Sequence, residues 1–167
     1  MTNKKERIYI GIDPGKTGAL AFLAEDGGIS DIAVMMPSLD ELTRLALWCR
    51  KHDAHVTIED PEPNYGWGIK GMKTLFENLG QLKALFPDAQ LVNPKVWQSA
   101  IWTPDSFLAV PKGKQTAKKR SLYVAEQHWK HCTFRPENTP GSPKDGIVDA
   151  HLIALYGIMT KRGKFHS

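Results

Sequence analysis

The sequence predicts an α/β protein built on a mixed sheet with helices on its faces. Three observations predict it. Five short apolar or β-branched runs have the length of strands, and the first three follow one another through short turns, as in an antiparallel meander. The later runs alternate with helical periodicities, the pattern of parallel crossovers. A chain of 167 residues, 41% hydrophobic and 24% charged, also suits a single domain over 1–167 around one core.

The elements follow in order. Ile8-Tyr9-Ile10 leads a buried strand over about 7–12, and Gly18-Ala19-Leu20-Ala21-Phe22-Leu23 reads as a second. Glu25-Asp26-Gly27-Gly28 turns the chain into a third, around Ile29 to Met36. Ser38, with Glu41 three residues on, forms a capping box that opens a helix, with Leu39, Leu42, Leu45, Ala46 and Cys49 on its apolar face. His55-Val56-Thr57-Ile58 is a fourth strand ending at Glu59, followed by a loop rich in Pro and Gly.

A second helix is expected from near Gly71 through Leu75, Phe76, Leu79, Leu82 and Leu85, closed by Pro87-Asp88. Gln90-Leu91-Val92 makes the fifth strand, stopped by Pro94, and Val96 to Pro111 reads as irregular. A mixed basic and apolar helix covers about Gln115 to Trp129, and a final apolar helix runs from Asp145 to Thr160.

Composition excludes several classes. No apolar run approaches the roughly 20 residues that span a bilayer. The segment Met1 to Arg7 lacks the apolar centre of a signal peptide, so a cytosolic setting, cellular or phage-infected, is expected. Cys49 and Cys132 make no disulfide framework. His128, His131 and Cys132 lack a fourth ligand at zinc spacing. The net charge is +4 but unevenly spread: acids outnumber bases from Glu25 to Glu62, whereas Lys112, Lys114, Lys118, Lys119 and Arg120 form a run with no acid. An acidic centre with basic flanks suits a metal-dependent enzyme acting on a polyanion; a solvated basic helix end explains the run equally well.

The chemistry concentrates in four acids: Asp13, Glu59, Asp145 and Asp149. Asp13 follows the first strand within Gly11-Ile12-Asp13-Pro14-Gly15-Lys16-Thr17-Gly18-Ala19, and Glu59 ends the fourth. A right-handed crossover through the helix from Ser38 makes these strands parallel neighbours and brings both carboxylates to one sheet edge. Asp145 and Asp149 are four apart and share a helical face.

Singly, each has an ordinary explanation as turn former, solvated strand end or helix cap, although Asp149 among apolar neighbours needs a partner. Jointly they demand cations. Two bare carboxylates at about 4 Å repel by about 4 kcal/mol at an effective dielectric of 20. Mg²⁺ suits an all-oxygen set, and two such ions would serve phosphodiester hydrolysis. Gly11-x3-Gly15-Lys16-Thr17 is one residue short of a phosphate-binding loop, and Asp13 would push charge into the cradle.

These motifs, in order, resemble the RuvC-like Holliday junction resolvases, particularly the phage-type crossover junction endodeoxyribonucleases. The resemblance rests on G-I-D-P-G-x-T-G-A, on I-E at the end of the fourth strand and on D-G-x-x-D-A opening the last helix. It extends to Gly71-Met72-Lys73-Thr74-Leu75-Phe76-Glu77-Asn78-Leu79-Gly80, to Pro94-x-x-Trp97 and to Lys118-Lys119-x-Ser121.

It implies an RNase H-like fold with a five-stranded mixed sheet in the order 3-2-1-4-5, a homodimer, and dependence on two Mg²⁺ ions with Mn²⁺ as substitute. It also implies paired nicks in four-way DNA leaving 5′-phosphate and 3′-hydroxyl ends. Asp13, Glu59, Asp145 and Asp149 would be both the catalytic acids and the metal ligands. Cellular members usually space the last two acids by three residues, so the four-residue spacing here makes Lys144 an alternative contact to the scissile phosphate.

Lys112, Lys114, Lys118, Lys119 and Arg120 would track the DNA backbone, and Tyr65 or Trp67 could stack on unpaired bases at the crossover or simply pack their loop. No nucleotide cofactor is expected, because an actin or sugar-kinase type phosphotransferase needs a second domain. An RNase H-like nuclease of flaps, forks or RNA–DNA hybrids, and a non-catalytic DNA-binding module, remain the alternatives.

Overall fold

The computed structural model describes residues 6–15, 17–63, 68–113, 115–135 and 144–162. Five strands, β1 (Ile8–Ile12), β2 (Ala19–Ala24), β3 (Ile29–Met35), β4 (His55–Glu59) and β5 (Gln90–Val92), form one sheet in the order β3-β2-β1-β4-β5. β1 pairs antiparallel with β2 and parallel with β4, β2 pairs antiparallel with β3, and β4 runs parallel to β5. The expected mixed sheet and its order are therefore present. The parallel pairing of β1 and β4 follows from α1 (Leu39–His52), which crosses between the meander and β4.

Side chains alternate across the sheet and build two cores. Ile10, Ile12, Leu20, Val56 and Ile58 face α1 and α2 (Gly68–Leu85), packing on Leu42, Ala46, Cys49, Leu79 and Leu82. Tyr9, Ala19, Ala21 and Leu23 face the other way, onto α6 (Asp145–Lys161). That helix is buried on most of its circumference, because α3 (Pro94–Ile101) and α5 (Thr116–His128) cover it from outside with Trp97, Ile101, Val124 and Ala125. Such all-round burial explains why its sequence is apolar with little amphipathic contrast.

The capping box of α1 is formed: the Glu41 amide donates to Ser38 Oγ, and the Ser38 amide to Glu41 Oε2. Leu39 and Phe76, expected on apolar faces, are instead 50% and 41% exposed. α2 starts at Gly68, about one turn earlier than its periodicity suggested.

The stretch expected to be irregular holds two short helices, α3 and α4 (Pro104–Ala109). Asn93 caps the first through the Lys95 amide, and Thr103 caps the second through the Ser106 amide, each with Pro at the start. An N-cap followed by Pro at N1 needs no long apolar stripe to begin a helix. Among the described residues no helix is long and apolar enough to cross a membrane.

Candidate active site

Three close backbone contacts position the acids. In the register of β1 and β4, Ile12 stands beside Ile58, so Asp13 and Glu59 leave their strands side by side. Ile12 and Ile58 both face α1 and α2, so by alternation Asp13 and Glu59 turn toward α6. α6 lies against β1 so closely that a Cβ on Gly11 would stand 2.0 Å from the Ala150 carbonyl oxygen. At its N-terminus, a Cβ on Gly146 would stand 2.0 Å from the Thr17 carbonyl oxygen. Asp149 lies between these two contacts.

The loop carrying Asp13 is tight. The Asp13 amide donates to Ala19 O and the Gly18 amide to Gly15 O, closing the hairpin. The Gly15 amide donates to Asp13 Oδ1 at 2.9 Å, and Asn78 on α2 donates to Pro14 O. A Cβ on Gly18 would stand 2.1 Å from Asp13 O, so glycine is required there for the close approach.

Asp13, Glu59 and Asp149 each keep a little accessible surface, yet desolvation is the largest influence on all three. Burial raises the Asp13 carboxyl above its ordinary range, against the Gly15 amide and the Lys118 ammonium, which lower it. Burial and then the Asp13 charge push Glu59 up to about 7, opposed by a hydrogen bond from Trp97. Asp149 is raised well above its ordinary range, through burial and then the charges of Asp13 and Glu59, with Asp145 adding to them. The buried Ser121 hydroxyl, which has no hydrogen-bond partner among the described residues, lies near Asp149 and lowers it.

Asp145 has a different environment. Its side chain is 52% exposed, and Lys118 Nζ donates to Asp145 Oδ2 at 2.7 Å. The same ammonium feels Asp149 and Asp13, so α5 supplies the cation that sequence proximity to the acids did not offer. The fold thus gathers Asp13, Glu59 and Asp149 as a desolvated central three, with Asp145 at the rim in electrostatic range of Asp13 and Asp149.

No three His, Cys, Asp or Glu side chains among the described residues are gathered closely enough to hold an ion as they stand. The donor set nonetheless fits a hard divalent cation: all oxygens, desolvated and mutually repelling, with one lysine against four acids.

The basic residues divide. Lys112, Lys119 and Lys144 are exposed, with Lys144 at the N-terminus of α6 beside Asp145. Arg120 is half-buried and engaged by its own chain: its guanidinium lies 4.2 Å from the centre of the Phe107 ring, and its Nε donates to Val110 O. Tyr65, Trp67 and Lys114 lie outside the described residues. Sequence reasoning did not assign a role to Trp97, whose indole Nε1 donates to Glu59 Oε2 at 2.7 Å; the Pro94-x-x-Trp97 element was the available signal. A cleft of about 330 Å³ lined by Cys49, Arg50, His55 and Phe86 lies at the opposite end of β4, away from the acids.

The architecture and the acidic centre at the ends of adjacent strands define a protein with the RuvC fold, and comparison with solved structures bears this out. The chain superposes on Thermus thermophilus RuvC in complex with a Holliday junction substrate with a TM-score of 0.58, at 13% identity over 95% of this chain and 97% of that one. A second Thermus thermophilus RuvC structure gives a TM-score of 0.52 at 16% identity, over 93% and 96% of the two chains. No protein-family model and no curated protein matches the sequence.

Proposed function

We propose that this protein is a metal-dependent, structure-selective endodeoxyribonuclease of the phage-type RuvC kind, which resolves four-way DNA junctions by paired phosphodiester hydrolysis. The observation that carries the proposal is the desolvated set Asp13, Glu59 and Asp149, drawn from the ends of two adjacent strands and a helix within a RuvC fold. An apolar-walled group of like charges is costly unless a cation neutralises it, and phosphate esters are what such a centre can act upon.

Asp13, Glu59 and Asp149 would hold a pair of Mg²⁺ ions, or Mn²⁺ in their place, with Asp145 completing the set from the rim. Bound there, the ions would supply activation of a water and stabilisation of the leaving oxygen in an in-line displacement. The protein's own part is placement. The Gly15 amide holds one oxygen of Asp13, and Trp97 holds one oxygen of Glu59. Lys118 balances charge at the rim of the acidic centre.

Exposed Lys112, Lys119 and Lys144 would engage phosphates, largely without reading sequence. A four-way junction offers two symmetry-related scissile strands, so a homodimer with one such centre per subunit would deliver both nicks.

The test is a cleavage assay on four-way, flap, fork, RNA–DNA hybrid and plain duplex substrates, with and without Mg²⁺. Symmetric nicks in the four-way substrate, dependent on the cation and lost in Asp13→Asn, are expected. Binding of that variant to the junction in Ca²⁺ should persist. Preferential cutting of flaps, forks or hybrids would reassign the substrate, and binding without cutting under any divalent cation would make the chain a DNA-binding module.

A further inference from the structure

We infer that Asn78 is a positioning residue that sets the Asp13 carboxylate through the peptide unit joining Pro14 to Gly15. The inference rests on the metal-dependent reading of this site and deepens it. Both ends of that one peptide are engaged. Asn78 Nδ2 on α2 donates to Pro14 O at 3.3 Å, and the Gly15 amide donates to Asp13 Oδ1 at 2.9 Å.

A trans peptide is planar, so its C=O and N–H point in opposite directions and turn together. Fixing the carbonyl therefore aims the amide. The local chain does not do this alone. The ring of Pro14 locks φ at a value shared by helical and extended backbone, so ψ can take either, and Gly15 is the most permissive residue to follow it. A half-turn of the plane would face the carbonyl oxygen toward the Asp13 carboxylate, setting acceptor against acceptor where a donor now stands. The hydrogen bonds at the two ends of the peptide both oppose that turn. They also reinforce each other, because a peptide that accepts at its carbonyl is polarised to donate more strongly at its amide.

The surroundings make the contact firm. Pro14 is buried, and a buried carbonyl needs a donor. Its partner must be the amide nitrogen of Asn78, since two carbonyl oxygens cannot bond. Asn78 is half-buried, and the next residue, Leu79, packs in the core with Ile12 and Ile58, the residues that immediately precede Asp13 and Glu59. Asparagine is a weak choice for a helix interior on propensity. Its place inside α2, within the run Gly71 to Gly80, is accounted for by this contact with the Asp13 loop.

The experiment compares the whole wild-type chain with Asn78→Ala, and with Glu77→Ala at the exposed neighbouring position as control. Hydrogen exchange of the Gly15 amide is followed by NMR, Mg²⁺ is titrated calorimetrically without DNA, and urea unfolding is recorded. Asn78→Ala should speed Gly15 exchange by about tenfold, the scale of one lost hydrogen bond. It should weaken Mg²⁺ by about 10- to 100-fold, as removal of an outer-shell partner does. The urea midpoint should stay near that of wild type, because alanine suits the helix better, and Glu77→Ala should change none of the three.

An unchanged Gly15 amide, or a faster one with Mg²⁺ affinity intact, would overturn the role of Asn78 while leaving the metal site standing. Faster exchange throughout α2 with a lowered urea midpoint would overturn it too, by making Asn78 a residue of the helix alone. A wild type that binds no Mg²⁺ would overturn the metal reading and the role of Asn78 with it. Should Asn78→Ala fail to fold, Asn78→Asp keeps the shape but replaces the donor with an acceptor, and the same two losses are expected.

Discussion

Asp145 and Asp149 lie one turn apart on α6, and the fold gives them opposite surroundings. Asp149 is desolvated and feels Asp13 and Glu59, whereas Asp145 is 52% exposed and bound to Lys118. Exposed ion pairs contribute only about 0–1 kcal/mol. The Lys118–Asp145 bond therefore matters less for stability than for keeping an ammonium at the rim of the acidic centre. Gly146, three residues before Asp149, shows why the first acid of the pair is displaced: its Cα is pressed onto the Thr17 carbonyl, and no side chain fits there. Asp149→Asn should lower single-turnover cleavage of a four-way substrate by more than about 100-fold, exceeding the loss typical of an outer-shell partner. Asp145→Asn should lower it by less than about tenfold, below that range. Equal losses in the two variants would place Asp145 among the central acids.

At the scale of elements, α6 sets the site because its glycine contacts bring it close to the sheet, backbone to backbone at the Asp13 loop and β1. It touches the Asp13 loop at Gly146, β1 at Gly11 and β4 at Gly157, where a Cβ would stand 2.4 Å from Thr57 Oγ1. Gly146→Ala should tilt the start of the helix, moving Asp149 and Asp145 away from Asp13. Cleavage should fall by at least about 100-fold, since misplacement near 1 Å costs that much. Gly80→Ala on α2 is the control: a Cβ there meets nothing, and the variant should gain about 0.5–1 kcal/mol in urea unfolding with cleavage unchanged. Full activity in Gly146→Ala would show that α6 is not the ruler.

These contacts also separate what was legible in the chain from what was not. The strand ends at Asp13 and Glu59 could be read because β-branched runs stop at an acid, and the handedness of one crossover placed them together. Helices α3 and α4 were too short for a period to show, although Asn93-Pro94 and Thr103-Pro104 carried their start signals. The Lys118–Asp145 and Trp97–Glu59 bonds join residues 27 and 38 positions apart, and no local pattern encodes them.

For the molecule as a whole, the acidic centre sets a pH dependence of stability opposite to that of three partly desolvated histidines. Glu59 titrates in the fold at about 7 rather than 4.5, and Asp13 and Asp149 are raised as well, chiefly by burial. Above the unfolded carboxyl range the folded chain therefore holds more protons than the unfolded one. That contribution to stability is complete at low pH and is lost as pH rises through about 7. His55, His128 and His151 are lowered by desolvation, so their contribution is present above the ordinary imidazole range and is lost as pH falls below it. A single melting curve mixes the two, and a difference between variants separates them. In EDTA, the melting temperature of Asp149→Asn relative to wild type should rise steadily from about pH 5 to about pH 8, because only the wild type must ionise a third crowded carboxyl. Saturating Mg²⁺ should close or reverse that gap, and most strongly at the alkaline end, since a bound cation replaces the protons the acids have lost. Scanning calorimetry at matched ionic strength provides the measurement. A gap that stays flat with pH would mean that Asp149 ionises independently of Asp13 and Glu59, and the three acids would then not form one electrostatic unit.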